Sequence, residues 1–342
     1  MKKFKSAIIG CGAIFPTHGV SVRNSERAEL VAVCDKVAEK AEKIAEKYNC
    51  NAYTDYIEML DKEEIDVVHV CLPHYLHAPV SIECMKRGKH VITEKPMAIS
   101  VSDAEAMIEA SERYGVTLAC IFQNRFNAGT QLVRRMYLGG ELGKIKGAKC
   151  FVTWKRTGAY YSNSDWKGTW DKEGGGVVID QAIHTLDAVR YIMNATPLEV
   201  DATIAKRGGE PIEVEDTAEG AILFDNGILA NFHAMNYYSF DDDVQIDMDF
   251  EKGRARIVSD KATVTMFDGR TFTAEHAPTD SIDYGDIKAY WGVNHYKQID
   301  DVYKCIEMGD EMFVDLEGSL ETLKIVCAIY ESGKSGKKVK IL

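Results

Sequence analysis

The sequence predicts an α/β protein with an N-terminal, doubly wound parallel sheet, followed by an α+β domain built on a large, mostly antiparallel, open-faced sheet. Three observations carry that expectation. From Ser6 to Ile121 short apolar runs alternate with helical stretches, and strands separated by crossover helices pair in parallel. The first strand runs at once into a glycine turn, Gly10-Cys11-Gly12, the context in which such a turn holds a dinucleotide. From Glu199 to about Thr273 strand signals dominate, and Asp225-Asn226-Gly227 between two of them marks a hairpin. The expected domains are residues 1–124 and 125–342.

In chain order, Ser6–Ile9 is the first strand, and the turn Gly10-Cys11-Gly12-Ala13-Ile14 leads into a helix reaching about Arg23. The first glycine makes the tight turn, and the second lets backbone amides approach a pyrophosphate at the positive end of the helix. Phe15 stands where a third glycine is usual. The next strand, Leu30–Cys34, ends in Asp35 beside Lys36. A carboxylate about twenty residues beyond the glycines accepts the ribose 2′-hydroxyl and repels a 2′-phosphate, so NAD is expected rather than NADP. Helices near Tyr56–Leu60, Ala78–Arg87 and Ser102–Tyr114 alternate with strands Val67–Cys71, His90–Thr93 and Thr117–Ile121. The ligand crevice of such a sheet lies at the carboxyl ends of its strands. There stand Leu72-Pro73-His74, Glu94-Lys95-Pro96 and Gln123-Asn124-Arg125. Proline keeps Lys95 out of helical geometry, which presents its ammonium at the crevice. His74 and His77 have no third ligand nearby in sequence, and no metal site is expected.

The second half opens with a helix near Thr130–Tyr137 and a long strand-like stretch, Lys144–Lys155. The polar-aromatic segment that follows, with Arg156, Tyr160, Tyr161, Trp166 and Trp170, suits a sugar ring, whose C–H faces stack while its hydroxyls need polar partners. Behind three glycines, Gly174–Gly176, an apolar helical run carries Asp180 and His184. At i and i+4 they share one face, and a carboxylate beside an imidazole suits proton transfer near neutrality. Helices at about Gly292–Glu307 and Leu316–Glu331 precede a last strand at Lys338–Ile341. Ile222, Phe224, Leu229 and Phe232 suggest an apolar sheet face covered by a second copy of the chain, as a homodimer or homotetramer.

Composition narrows the partners. A formal net charge of −12 argues against nucleic acid and against an anionic membrane surface. The start MKKFKSAIIGCGAIF imitates an export signal, yet its apolar core is short and runs into Pro16 and His18, so a first strand is expected there. No stretch approaches the roughly 20 apolar residues of a membrane span. Nine dispersed cysteines without a CxxC pair suit a reducing, cytoplasmic setting.

Taken together, Gly10-Cys11-Gly12, Glu94-Lys95-Pro96, Asp180 with His184 behind the triple glycine, and Trp291-Gly292 through His295 resemble the Gfo/Idh/MocA family of glucose-fructose oxidoreductase and inositol 2-dehydrogenase in order and separation. The resemblance spans essentially the whole chain. It implies a Rossmann domain that binds NAD and a second domain that binds a sugar, sugar derivative or cyclitol. Carried over by position, Lys95, Asp180 and His184 are the catalytic set. Gly10, Gly12, Ala13, Ile14, Asp35, Lys36, Leu72, Pro73, His77, Glu94, Lys95, Asn124 and Arg125 are expected around the cofactor, and Arg156, Tyr160, Trp166 and His295 around the substrate. Phe15 and Ala182 depart from the family pattern, each where glycine is frequent. Two alternatives on the same scaffold are an NAD-dependent glycoside hydrolase, which would recycle its cofactor, and a non-enzymatic NAD-binding regulator, which has no need of a proton-transfer set.

Overall fold

The computed structural model describes residues 3–277, 282–284 and 294–341. The chain divides into two compact units, Met1–Gln123 with Thr279–Glu317, and Asn124–Pro278 with Gly318–Leu342. The sequence expectation is a division after residue 124. The stretch Thr279–Glu317, expected in the second domain, returns to the first.

The first unit is a six-stranded parallel sheet of order β3-β2-β1-β4-β5-β6, formed by Phe4–Ile9 (β1), Ala28–Cys34 (β2), Asn51–Tyr53 (β3), Val67–Val70 (β4), His90–Thr93 (β5) and Leu118–Cys120 (β6). The order reverses between β1 and β4, which opens the crevice where a doubly wound sheet takes its ligand. Helix α1 (Phe15–Asn24) begins there, and α2 (Ala38–Tyr48) follows β2. Phe15 fills rather than disturbs this junction. Its ring is buried with Ile8, Val33 and Ala45 and meets Tyr48 edge-on at 5.4 Å. Gly19 makes the room, because a Cβ there would lie 2.8 Å from the Phe15 ring. On another part of the unit the helix His295–Met308 contributes Ile299, Val302 and Tyr303 to a core with Val22, Val67, Ile92 and Ile121. That apolar burial is why this late segment belongs to the first unit.

The second unit is a nine-stranded mixed sheet. Its strands are Ile145–Thr153 (β7), Pro197–Ala205 (β8), Thr217–Phe224 (β9), Leu229–Met235 (β10), Gln245–Phe250 (β11), Gly253–Val258 (β12), Lys261–Met266 (β13), Thr271–Ala274 (β14) and Val339–Lys340 (β15). Their order is β14-β13-β12-β11-β7-β10-β9-β8-β15. The β7–β10 pair is parallel and the other pairs are antiparallel. The Asp225-Asn226-Gly227 turn closes the β9–β10 hairpin, with Leu223 opposite Leu229. One face packs on helices Ala128–Leu138, Ile183–Met193 and Leu316–Ser335.

The alternation along β9 and β10 corrects one expectation. Ile222, Phe224 and Phe232 are each at most 5 % exposed and face the helices, whereas Leu229 is 51 % exposed. The open face around it carries Lys149, Phe151, Asp201, Glu219, Asn231 and His233. It is therefore a polar face holding isolated apolar side chains, and three of the four residues that suggested an apolar docking surface are core.

Arg125 is a second correction. Its side chain is fully buried, and its guanidinium donates from Nε to Asp187 Oδ2 at 2.9 Å and from Nη2 to Asp187 Oδ1 at 2.7 Å. Thr322 Oγ1 donates to the same carboxylate at 2.7 Å. The side chain expected at the cofactor is thus committed to an ion pair in the second unit's core. Breaking such a pair leaves a buried charge uncompensated. Asp187→Ala should lower unfolding stability by about 3–5 kcal/mol, read as a shift of the denaturant midpoint. A midpoint within experimental error of the unaltered chain would contradict this.

Candidate functional site

The first unit presents its predicted residues at the strand ends. Gly10 has φ 103°, and a Cβ on it would lie 2.1 Å from the Cys71 carbonyl oxygen, so only glycine lets β1 turn against the end of β4. Gly12 and Ala13 are exposed, and a Cβ on Gly12 would meet nothing within 4 Å. Ile14 is the N-cap of α1, offers no side-chain acceptor, and no acid stands in the first turn. The positive end of that helix suits an anion. Asp35 Oδ2 accepts from Cys11 N at 2.9 Å and Oδ1 from Val37 N at 2.9 Å. A carboxylate has about four acceptor positions, so Asp35 ties down the glycine turn and still has capacity for a ribose diol. Lys36 beside it is exposed, and Leu72, Pro73, Lys95 and Asn124 are half-buried. These features fit a nicotinamide dinucleotide.

Three other predicted residues turn inward. His77 is fully buried, its Nδ1 2.7 Å from the Pro96 carbonyl oxygen and its Nε2 2.8 Å from that of Leu72. It braces two strand-end loops against each other rather than offering its ring to a ligand. Glu94 is 6 % exposed. His18 Nε2 lies 2.8 Å and His295 Nε2 3.1 Å from its Oε1, and Lys95 N donates to its Oε2 at 3.2 Å. His295, expected at the substrate, is thereby placed on a buried carboxylate of the first unit. His18, Glu94 and His295 also form the single trio with metal-ligand spacing among the described residues. Trp291 and Gly292 lie outside the described residues.

In the second unit Gly175 and Gly176 are glycines because a Cβ would lie 2.0 Å from the Tyr330 hydroxyl and 1.9 Å from the Glu215 carbonyl oxygen, respectively. Glu215 receives Gly176 N at 2.8 Å, Val178 N at 3.0 Å and the Tyr330 hydroxyl at 3.1 Å. From there the backbone makes a π-helical turn, Val178–Ala182, before the α-helix Ile183–Met193. Such widened turns recur at functional sites. From Val177 to Met193 every residue is buried except Asp180 and His184, so the one open position of this helix face belongs to that pair.

Asp180 has its own donors. Tyr160 donates its hydroxyl to Asp180 Oδ2, Gln181 Nε2 donates to the same oxygen at 2.6 Å, and Lys167 Nζ stands 3.9 Å away. Burial, then the charge of Asp180, hold the Tyr160 phenol well above its usual range, so it serves as a donor and is no base at neutral pH. Lys167 Nζ lies 3.5 Å from the centre of the Tyr160 ring. Arg156 pairs with Asp241 at 2.8 Å and lies 5.3 Å from that ring's centre. Trp166 is half-buried, with Lys167 Nζ 5.5 Å from its ring. Asn236 Nδ2 donates to Tyr161 at 2.7 Å and to Gln181 Oε1 at 3.3 Å.

Sequence reasoning missed Lys167, Gln181, Asn236, Glu215, Tyr330 and the buried acid Glu173. Gln181 could have been found as a polar residue inside an apolar helical run, and Glu215-Asp216 as acids directly ahead of a strand. Nothing local marks Tyr330, which reads as an ordinary core aromatic.

With this geometry in view, two family models match the chain: the oxidoreductase family with an NAD-binding Rossmann fold over residues 4–122, and the Gfo/Idh/MocA C-terminal domain over residues 130–256. The chain belongs to the Gfo/Idh/MocA family. The first unit is an NAD-binding domain and the chain a nicotinamide-dependent oxidoreductase. Among similar proteins is D-glucoside 3-dehydrogenase of Escherichia coli, 28 % identical over 98 % of this chain and 97 % of that protein. The WlbA dehydrogenase from Bordetella pertussis, solved with NADH and UDP-GlcNAcA, is 26 % identical with a TM-score of 0.86 over 100 % of this chain and 99 % of the other. The aldose-aldose oxidoreductase of Caulobacter crescentus, solved with glycerol, is 26 % identical with a TM-score of 0.84 over 99 % of this chain and 100 % of the other.

Two of the buried acids give a pH signature. Burial pushes Glu215 up to about 7, against the opposing effect of its three donors. Burial and the charge of Asp180 raise Glu173 as well. A carboxyl whose folded pKa is raised stabilises the fold fully below its unfolded pKa and loses that contribution as pH rises through the folded one. Stability should therefore fall between about pH 4.5 and 7 through Glu215, and Glu215→Gln should flatten that decline. Equal pH slopes for the two proteins in thermal unfolding would refute the assignment.

Proposed function

We propose that the protein oxidises a secondary hydroxyl of a sugar, sugar derivative or cyclitol, with His184 accepting the hydroxyl proton. Asp180 orients and charge-balances the imidazole, and Lys95 hydrogen-bonds the reacting oxygen. NAD, when bound, supplies the hydride acceptor. The observation that carries this reading is the pair itself: in a run otherwise buried from Val177 to Met193, only Asp180, in the π-helical turn, and His184, just beyond it, are half-buried. The Tyr160 hydroxyl and Gln181 amide hold the carboxylate without competing for its proton-transfer role. Relatives whose names record dehydrogenation of glucosides, apiose and inositol support a polyhydroxylated substrate. Trp166, Arg156 and Tyr160 supply the aromatic and polar surface such a ring needs. Asp35 sets the preference for NAD over NADP by opposing a 2′-phosphate.

Screening inositols, glucose derivatives and uronates for NAD reduction identifies the substrate. On that substrate His184→Ala should cut turnover by roughly 10²- to 10⁴-fold with NAD affinity nearly unchanged, because the imidazole is used for proton transfer and not for cofactor binding. Near-normal turnover in that variant, or equal use of NADP by the unaltered chain, would overturn the respective assignment.

The reading includes a homodimer or homotetramer in the cytoplasm, assembled through the open sheet face that exposes Phe151 and Leu229 among polar side chains. Light scattering at micromolar concentration should give a mass at least twice that of one chain. A monomer's mass would remove this part.

A further inference from the structure

We propose that Glu94 is a positioning residue for Lys95, and that its side chain is oriented from behind by a chain of buried hydrogen bonds running back to Ser6. The proposal rests on the role given above to Lys95.

The chain has four links. Ser6 Oγ and the Tyr303 hydroxyl are 2.6 Å apart, the Tyr303 hydroxyl and His69 Nε2 2.8 Å, His69 Nδ1 and His18 Nδ1 2.8 Å, and His18 Nε2 and Glu94 Oε1 2.8 Å. Ser6, His18, His69 and Tyr303 are all fully buried. Distances alone leave the direction of each bond open, but the chemistry at one end decides it. An ionised carboxylate only accepts, so His18 must carry its proton on Nε2 and donate to Glu94. Burial, the largest influence on it, keeps His18 below the ordinary histidine range, so its Nδ1 is bare and accepts from His69 Nδ1–H. His69, also held neutral by burial, then has a bare Nε2, which accepts from Tyr303, and Tyr303 accepts from Ser6. Every member has one consistent proton position, and the opposite sequence would aim a nitrogen lone pair at a carboxylate.

The other end meets the Lys95 backbone. Glu94 Oε1 also receives His295 Nε2–H at 3.1 Å, which leaves Oε2 to accept the Lys95 amide at 3.2 Å. With Oε1 held by two imidazole donors, the carboxylate cannot rotate without losing one of them, and the Lys95 backbone is fixed relative to β5. The titratable and charged groups around Glu94 are His18, His69, His295, His77, Cys71 and Lys95. The same trio could hold a divalent ion only by giving up both N–H donors to Oε1, so a bound metal and the hydrogen-bonded chain are mutually exclusive.

The decisive measurement is the ¹⁵N spectrum of the histidine rings in the full, unaltered chain, because it needs neither substrate nor variant. His18 should be the Nε2–H tautomer and His69 the Nδ1–H tautomer, both unchanged between pH 5.5 and 8.5. The opposite tautomer at either ring, titration of His18 in that interval, or stoichiometric metal on this trio would overturn the proposal. Glu94→Gln can keep an oxygen acceptor for the two imidazoles while placing an amide N–H against the Lys95 amide where Oε2 accepted it. It should retain both tautomers and lower kcat roughly tenfold with the KM for NAD unchanged, whereas Tyr303→Phe, which removes only the donor to His69 Nε2, should leave the tautomers that Glu94 sets. Unchanged kcat in Glu94→Gln with both tautomers retained would show that Glu94 does not position Lys95. Lys95→Ala separates the two readings: full turnover in that variant, with the expected tautomers intact in the unaltered chain, defeats the role of Lys95, and wrong tautomers with Lys95 essential defeat the chain alone.

Discussion

The grip of Glu215 on the backbone of Gly176 and Val178 is the constraint from which the second unit's site follows. Amides at the start of a helix have no partner of their own, and a buried stretch must find acceptors for them or lose the fold. Here one carboxylate takes two of them together with the Tyr330 hydroxyl. That closeness requires glycine at 175 and 176, since a side chain at either would collide with Tyr330 or with the Glu215 backbone. The helix therefore starts from a fixed point, and its widened first turn holds Asp180, with His184 just beyond it, the two residues of an otherwise buried run that are half-buried.

The first unit solves the same problem with histidine. Each imidazole offers one donor and one acceptor when neutral, so a run of them passes a hydrogen bond through a dry core with no charge except at its end. Burial alone is expensive for a carboxylate. At Glu94 two ring N–H groups and one amide offset that cost. The sheet behind the crevice is thus polar along one line and apolar around it.

Much of this was legible in the sequence, and the reasons differ by residue. The alternation of strands and helices, the glycine turn and the Asn-Gly hairpin are local signals, and each survives because its cause lies within a few residues. Asp180 and His184 were singled out by spacing, as was Asp35. His77, Glu94, Arg125 and His295 were recognised as unusual and assigned outward, yet their side chains face carbonyls and charges of the core. Sequence shows that a polar residue stands at a strand end, but not which way its side chain turns. The π-helical turn has no sequence period, and Glu215 and Tyr330 act on Gly175 and Gly176 from tens to more than a hundred residues away. Phe15 was a departure whose remedy, Gly19, stood one turn further on.

The return of Thr279–Glu317 to the first unit bears on how this chain is made. Tyr303 is fully buried in the core that Val22, Val67 and Ile92 begin, and its hydroxyl meets Ser6 across 297 positions of sequence. Domains generally fold as they emerge during synthesis, the N-terminal one first. Here the N-terminal sheet leaves the ribosome long before the helix that completes it. Until then the polypeptide carries an uncovered apolar surface and an unfinished line of histidines, and the Asn124–Pro278 part of the second unit must be translated before the first can close.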